Sequence, residues 1–138
     1  MKSRNLGMTL VELVVVVTIL ALLVSIALPS YREFRLRANR AEAKTALMQL
    51  AAAQEKFYLQ NNTYADDGQL DAAPPAGLGL SDATEHGYYT IEIDAADVDG
   101  WTATATATGS QADDEDCASF TVNQAGEKTA TTDECWRK

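Results

Sequence analysis

Residues 13–28 read LVVVVTILALLVSIAL, with no charge and no glycine. With Met8–Val11 ahead of it, the apolar stretch reaches about 20 residues, the length a helix needs to cross a bilayer, and it is broken once, by Glu12. Lys2 and Arg4 precede it, so the positive end is expected to stay cytoplasmic and the C-terminal part to be exported. Two other readings compete. A secretory signal peptide fits the segment, and Ser25-Ile26-Ala27 offers small residues for removal after Ala27. A buried helix of a soluble protein is the other. Glu12 fits neither well. A carboxylate costs about 2.5–3.5 kcal/mol at the centre of a membrane helix and less near its end. A partner positive charge, such as an amine freed by proteolysis just upstream, would account for it.

The segment Gly7-Met8-Thr9-Leu10-Val11-Glu12-Leu13 closely resembles the processing site of type IV prepilins and related pseudopilins. The resemblance implies a basic leader, residues 1–7, cut after Gly7 on the cytoplasmic side by a prepilin peptidase that also N-methylates the new terminus. Met8 is then the N-methylated first residue, and Glu12 the family's glutamate, fifth in the mature chain and needed for assembly. Pro29 matches the proline that bends or ends the first part of the helix. Met8 departs from the phenylalanine usual at its position. Residues 8–28 become a membrane helix that later packs in a filament core. Glu12 of one subunit near the Met8 amine of another would neutralise two charges in a low-dielectric interior and specify register.

The chain has 138 residues and a net charge of −9, and a chain this long supports one modest domain beyond the apolar segment. Charge is unevenly placed. Arg32, Arg35, Arg37, Arg40 and Lys44 follow the apolar run, where anionic headgroups or acidic neighbours could meet them. From Tyr58 to Lys138, sixteen acidic residues face three basic ones, Lys128, Arg137 and Lys138. A broad phosphate-binding face is not expected there, so direct nucleic-acid binding is disfavoured.

Pro29 lacks an amide hydrogen and is expected to kink or interrupt the helix near Leu28. Helix then resumes over residues 38–60, which are rich in alanine, glutamine, leucine and lysine. Ala43, Leu47, Leu50, Gln54 and Phe57 recur at spacings of three and four, a stripe suited to lie on a sheet. Asn61 and Asn62 are stop signals. Residues 63–87, with Gly68, Pro74, Pro75, Gly77, Gly79 and Gly87, read as a loop.

Strands are expected at 88–94, 101–108 and 117–123, with a weaker return over Glu127–Thr132. Asp97–Gly100 reads as a hairpin connection and Gln124-Ala125-Gly126 as a turn. In WTATATAT the small alanines imply a face held close to the helix. The fold class is α+β: a long N-terminal helix, half anchor and half scaffold, packed on an antiparallel sheet of about four strands. Residues 29–138 hold the second half of the helix and the head.

Cys117 and Cys135 are the only cysteines. In an exported head they are expected to pair, closing a loop worth about 3 kcal/mol on the entropy model. Free thiols are the alternative, and a metal pair is less suited because His86 is the only histidine. The run from Cys117 to Gly126 with the Cys135-Trp136 ending further resembles PilE-like minor pilins of Gram-negative bacteria. In pilins the paired cysteines bound an exposed C-terminal loop.

No nucleophile–base pattern stands out, no cofactor is implied, and the reading is not an enzyme. His86, beside Gly87, reads as a surface residue. Asp113-Asp114-Glu115-Asp116 has the oxygens but not the spacing of a calcium loop, and reads as a solvated charge run. Gly77-Leu-Gly79 lacks the context of a phosphate loop. The function expected is a structural subunit of a type IV pilus, by resemblance a minor one, anchored in the inner membrane with a periplasmic head and then carried to the cell surface. Its partners would be the peptidase/methyltransferase, other pilins, the assembly platform and the bilayer. A pseudopilin of a type II secretion system and a DNA-binding competence pilin are the alternatives.

Overall fold

The computed structural model describes residues 8–137. The leader reading, including Gly7, lies outside the described residues. One helix, α1 (Leu10–Asn61), is followed by a 3₁₀ turn (Asp67–Gln69) and four strands: β1 (Tyr89–Ala96), β2 (Trp101–Ala107), β3 (Ser119–Asn123) and β4 (Lys128–Ala130). The described residues fall into two compact units, divided between Arg35 and Leu36, and each is described by itself.

In the first unit, α1 starts at Leu10 because Thr9 caps it. The Thr9 hydroxyl accepts from the Glu12 amide at 3.2 Å, and the Thr9 carbonyl accepts from the Leu13 amide at 3.1 Å. This satisfies donors that a helix start otherwise leaves bare. Of the kink or interruption expected at Pro29, the interruption does not occur, since Pro29 lies inside α1. Proline removes one helical donor, the one that would reach the Ser25 carbonyl, and two hydroxyls bond other carbonyls of the same stretch: Ser25 Oγ donates to Leu22 O at 2.8 Å and Ser30 Oγ to Ile26 O at 3.3 Å.

In the second unit, the helix lays Arg40, Ala43, Leu47, Leu50, Gln54 and Phe57 inward. That is the stripe read from the sequence with Arg40 added. The helix ends where Asn62 adopts a left-handed φ of 55°, a conformation asparagine tolerates better than most residues. The sheet order is β1-β2-β3-β4, antiparallel throughout. Tyr89, Ile91 and Ile93 of β1, Trp101, Ala103 and Ala105 of β2, and Phe120 and Val122 of β3 form the buried face. Ala103 and Ala105 are fully buried, as the TATA pattern implied. Phe120 meets the Tyr89 ring edge-on at 5.8 Å and the Trp136 ring at 5.5 Å.

The hairpin turn closes on Asp97, whose carboxylate accepts from the Asp99 amide at 2.7 Å and the Gly100 amide at 3.0 Å. β1 runs two residues past the alternation read at Asp94, because a register shift between Ile93 and Ala95 lets pairing continue. β3 starts at Ser119 and not at Cys117, since Cys117 ends a 3₁₀ turn. β4 is shorter than the 127–132 expected, as a turn follows at Thr132.

Candidate functional site

The candidate site is an exposed apolar surface, the first half of α1. From Leu10 to Leu28 the large side chains are exposed, Leu10 at 78% and Ile26 at 71%. An 18-residue window of this helix is apolar enough to cross a membrane. Such a surface has to be covered by lipid or by other apolar helices. Glu12 sits in its first turn, where the positive end of the helix dipole favours a carboxylate. Met8, 65% exposed, lies just outside the helix.

The head is built to hold a fixed shape on the scaffold half of α1. Arg40 donates from Nε to Asp114 Oδ2 at 2.7 Å and from Nη2 to Asp114 Oδ1 at 2.8 Å. Asp114 is buried at 4% exposure, so the 113–116 run is not wholly a solvated charge cluster, which corrects the sequence reading. The Asp114 hydrogen bond, set against desolvation, holds the Arg40 pKa above its usual range. Gln111 Nε2 lies 3.1 Å from Asp114 Oδ2, 3.1 Å from the Tyr89 hydroxyl and 3.0 Å from the Leu36 carbonyl. Asn39 Nδ2 donates to Gln111 Oε1 at 3.0 Å and fixes the amide's orientation. Burial pushes the Tyr89 phenol up to about 12, with the Gln111 hydrogen bond working the other way.

Lower on the helix, Gln54 exchanges two hydrogen bonds with Ala65, Nε2 to the carbonyl at 2.7 Å and Oε1 from the amide at 2.8 Å. A sequence stripe shows Gln54 as a core position but not its partner, and Arg40, Gln111 and Asp114 carried no local signal of pairing.

Cys117 and Cys135 are joined by a disulfide with Cα atoms 5.7 Å apart. Beside it, Lys44 Nζ stands 5.8 Å from the Phe120 ring centre and Lys128 Nζ 5.4 Å from that of Trp136. Burial, with Arg40 nearby, lowers the Lys44 pKa. His86 is exposed and meets Glu42 at 2.6 Å from Nδ1 to Oε1. Among the described residues, no group of three or more His, Cys, Asp or Glu side chains could hold a metal ion.

Residues 2–28 match the model of the prokaryotic N-terminal methylation motif. Residues 29–121 match the model described as "Type IV minor pilin ComP, DNA uptake sequence receptor". The chain belongs to the type IV pilin family. The fimbrial protein EcpC of Eikenella corrodens is 30% identical over 112 residues, 79% of this chain and 68% of that one. The type IV major pilin protein PilA of Myxococcus xanthus is 40% identical over 75 residues, 54% of this chain and 34% of that one. The match thus spans about a third of the length of PilA. The non-core minor pilin PilV of Neisseria meningitidis shares the fold, with a TM-score of 0.52 and 22% identity over 70% of this chain and 87% of that one. Pilins are structural and not catalytic proteins, and this chain shares their sequence family and their helix-on-sheet fold.

Proposed function

We propose that the chain is a minor subunit of a type IV pilus. It would be made as a prepilin, cut between Gly7 and Met8 and methylated at Met8 by a prepilin peptidase/methyltransferase. It would then be held in the inner membrane by residues 8–28 until an assembly platform packs it against other pilins. The observation that carries this is the exposed apolar surface of Leu10–Leu28 bearing one carboxylate, Glu12, in its first turn. Lipid covers that surface before assembly, and neighbouring pilin helices cover it afterwards. Glu12 then meets a neighbour's Met8 amine. A minor role is supported by the family model's description. Repulsion between heads carrying sixteen acidic and three basic residues beyond Phe57 also favours sparse incorporation.

Glu12→Ala tests this. The protein should still reach the membrane with its disulfide formed, and its share in sheared pili, read by quantitative mass spectrometry, should drop at least tenfold. Wild-type chain should make up a small fraction of total pilin. Unchanged incorporation of the variant would remove the role of Glu12, and finding the chain as the bulk subunit would remove the minor assignment.

DNA uptake is a second reading, favoured by the family model's description and by Lys44 and Lys128 standing beside the partly exposed Trp136. The acidic head opposes it. DNA binding that falls steeply with salt and is lost in Lys128→Glu would support this reading. A secretion pseudopilin would share the anchor helix, and its absence from sheared pili would separate that case.

A further inference from the structure

We propose that Tyr31, Arg32, Phe34 and Arg35 form a collar for anionic phospholipid headgroups in the leaflet facing the exported head. The inference rests on the membrane-anchored reading above and adds the lipid class that the anchor selects.

The geometry starts from the helix rise. Leu10–Leu28 is continuous helix, and at about 1.5 Å per residue its length is about 28 Å, close to the roughly 30 Å hydrocarbon core. The helix goes on without a break. Tyr31 therefore lies about 4.5 Å and Arg35 about 10 Å beyond Leu28 along the axis. The headgroup layer is about 5–7 Å deep on each side, so Tyr31 and Arg32 fall within it. Phe34 and Arg35, about 9 and 10 Å beyond Leu28, have their backbone just outside that layer, and their side chains are long enough to reach back into it.

The angular arrangement is as specific as the depth. At about 100° per residue, Tyr31, Arg32, Phe34 and Arg35 share one half of the helix circumference, and Glu33 points to the other. Tyr31 is 62% and Phe34 69% exposed, and both arginines are exposed. Large aromatic side chains left in water beside a membrane span match the interfacial belts that position such spans. Guanidinium groups pair with phosphates in a two-pronged geometry that an ammonium does not offer. A face of two aromatics and two guanidinium groups, continuous with the apolar run, is complementary to headgroup phosphates, and an acidic phospholipid supplies them without the choline cation that repels arginine.

The test uses the full-length protein in nanodiscs of equal phosphatidylglycerol and phosphatidylcholine, with lipids retained after mild detergent exchange counted by mass spectrometry. Each arginine near a charged surface favours the acidic lipid by about fivefold. Wild-type protein is expected to retain phosphatidylglycerol over phosphatidylcholine by at least fivefold, and excess inorganic phosphate should not reverse this. Arg32→Gln with Arg35→Gln should lower the ratio at least fivefold, with helix content by circular dichroism unchanged. Tyr31→Ala with Phe34→Ala should lower total retained lipid. Wild-type protein that inserts as a helix without preference for the acidic lipid overturns the collar alone. A preference abolished by inorganic phosphate shows a free-anion site and also overturns it. Failure of residues 8–28 to insert as a spanning helix overturns the anchor reading, and the collar with it.

Discussion

Arg40 of the helix and Asp114 of the segment before β3 form a two-pronged ion pair inside the head, with contacts of 2.7 and 2.8 Å and both side chains nearly buried. It ties residues 74 positions apart. Removing one partner leaves a buried charge unpaired, which costs about 3–5 kcal/mol. Arg40→Met and Asp114→Leu should each lower the head's unfolding free energy by about that much in urea titrations. The double variant should recover most of the loss, since replacing a whole buried pair by apolar groups is often nearly neutral. A double variant as unstable as the sum of the two would contradict this account of the pair.

Tyr89 makes the head sensitive to high pH. Its folded pKa is raised to about 12 from an ordinary value of 10.0. The folded state therefore keeps the phenolic proton where the unfolded chain has lost it, and the unfolded state binds fewer protons between those values. Stability from this group is full below about pH 10 and falls as pH rises toward 12. Denaturation midpoints measured from pH 9 upward should drop across that window, and Tyr89→Phe should flatten the drop.

Much of the head was legible because its signals are local. The seam Ala43-Leu47-Leu50-Gln54-Phe57 follows the helical period, and the TATA alternation fixes which face of β2 is buried. What stayed hidden depends on distant partners. Arg40 looks like a surface residue until Asp114 is brought to it, and Asp114 looks like part of a solvated run until Arg40 covers it. The strand ends moved for a related reason, since a register shift after Ile93 and a 3₁₀ turn at Cys117 are set by pairing and packing. At the anchor, the apolar run and Glu12 were plain in the sequence, whereas a single proline was too weak a signal to end the helix against so many favourable neighbours.

The Cys117–Cys135 disulfide closes a loop with a sequence separation of 18. On the chain-entropy model it adds about 3 kcal/mol. Cys117→Ser with Cys135→Ser should lower unfolding stability by roughly that amount and make residues 131–137 accessible to protease. Unchanged proteolysis of the tail would contradict a tethering role.

Thr9 should matter for the start of the helix. Its hydroxyl accepts the Glu12 amide, and an N-cap of this kind is worth about 1 kcal/mol. Thr9→Val in micelles should raise hydrogen exchange at the Glu12 amide about fivefold, and Thr9→Ser and Thr9→Asn should restore protection. Equal protection in Thr9→Val would show that the hydroxyl does not cap the helix.

The most direct test of the pilin account is the intact mass of this chain recovered from sheared filaments. The account requires a polypeptide that starts at Met8, carries one added methyl on its terminal amine, and retains Glu12 and the whole apolar helix. A chain recovered only as a soluble form beginning at Leu28 would contradict it, because removal through Ala27 would discard the helix on which anchoring and assembly depend.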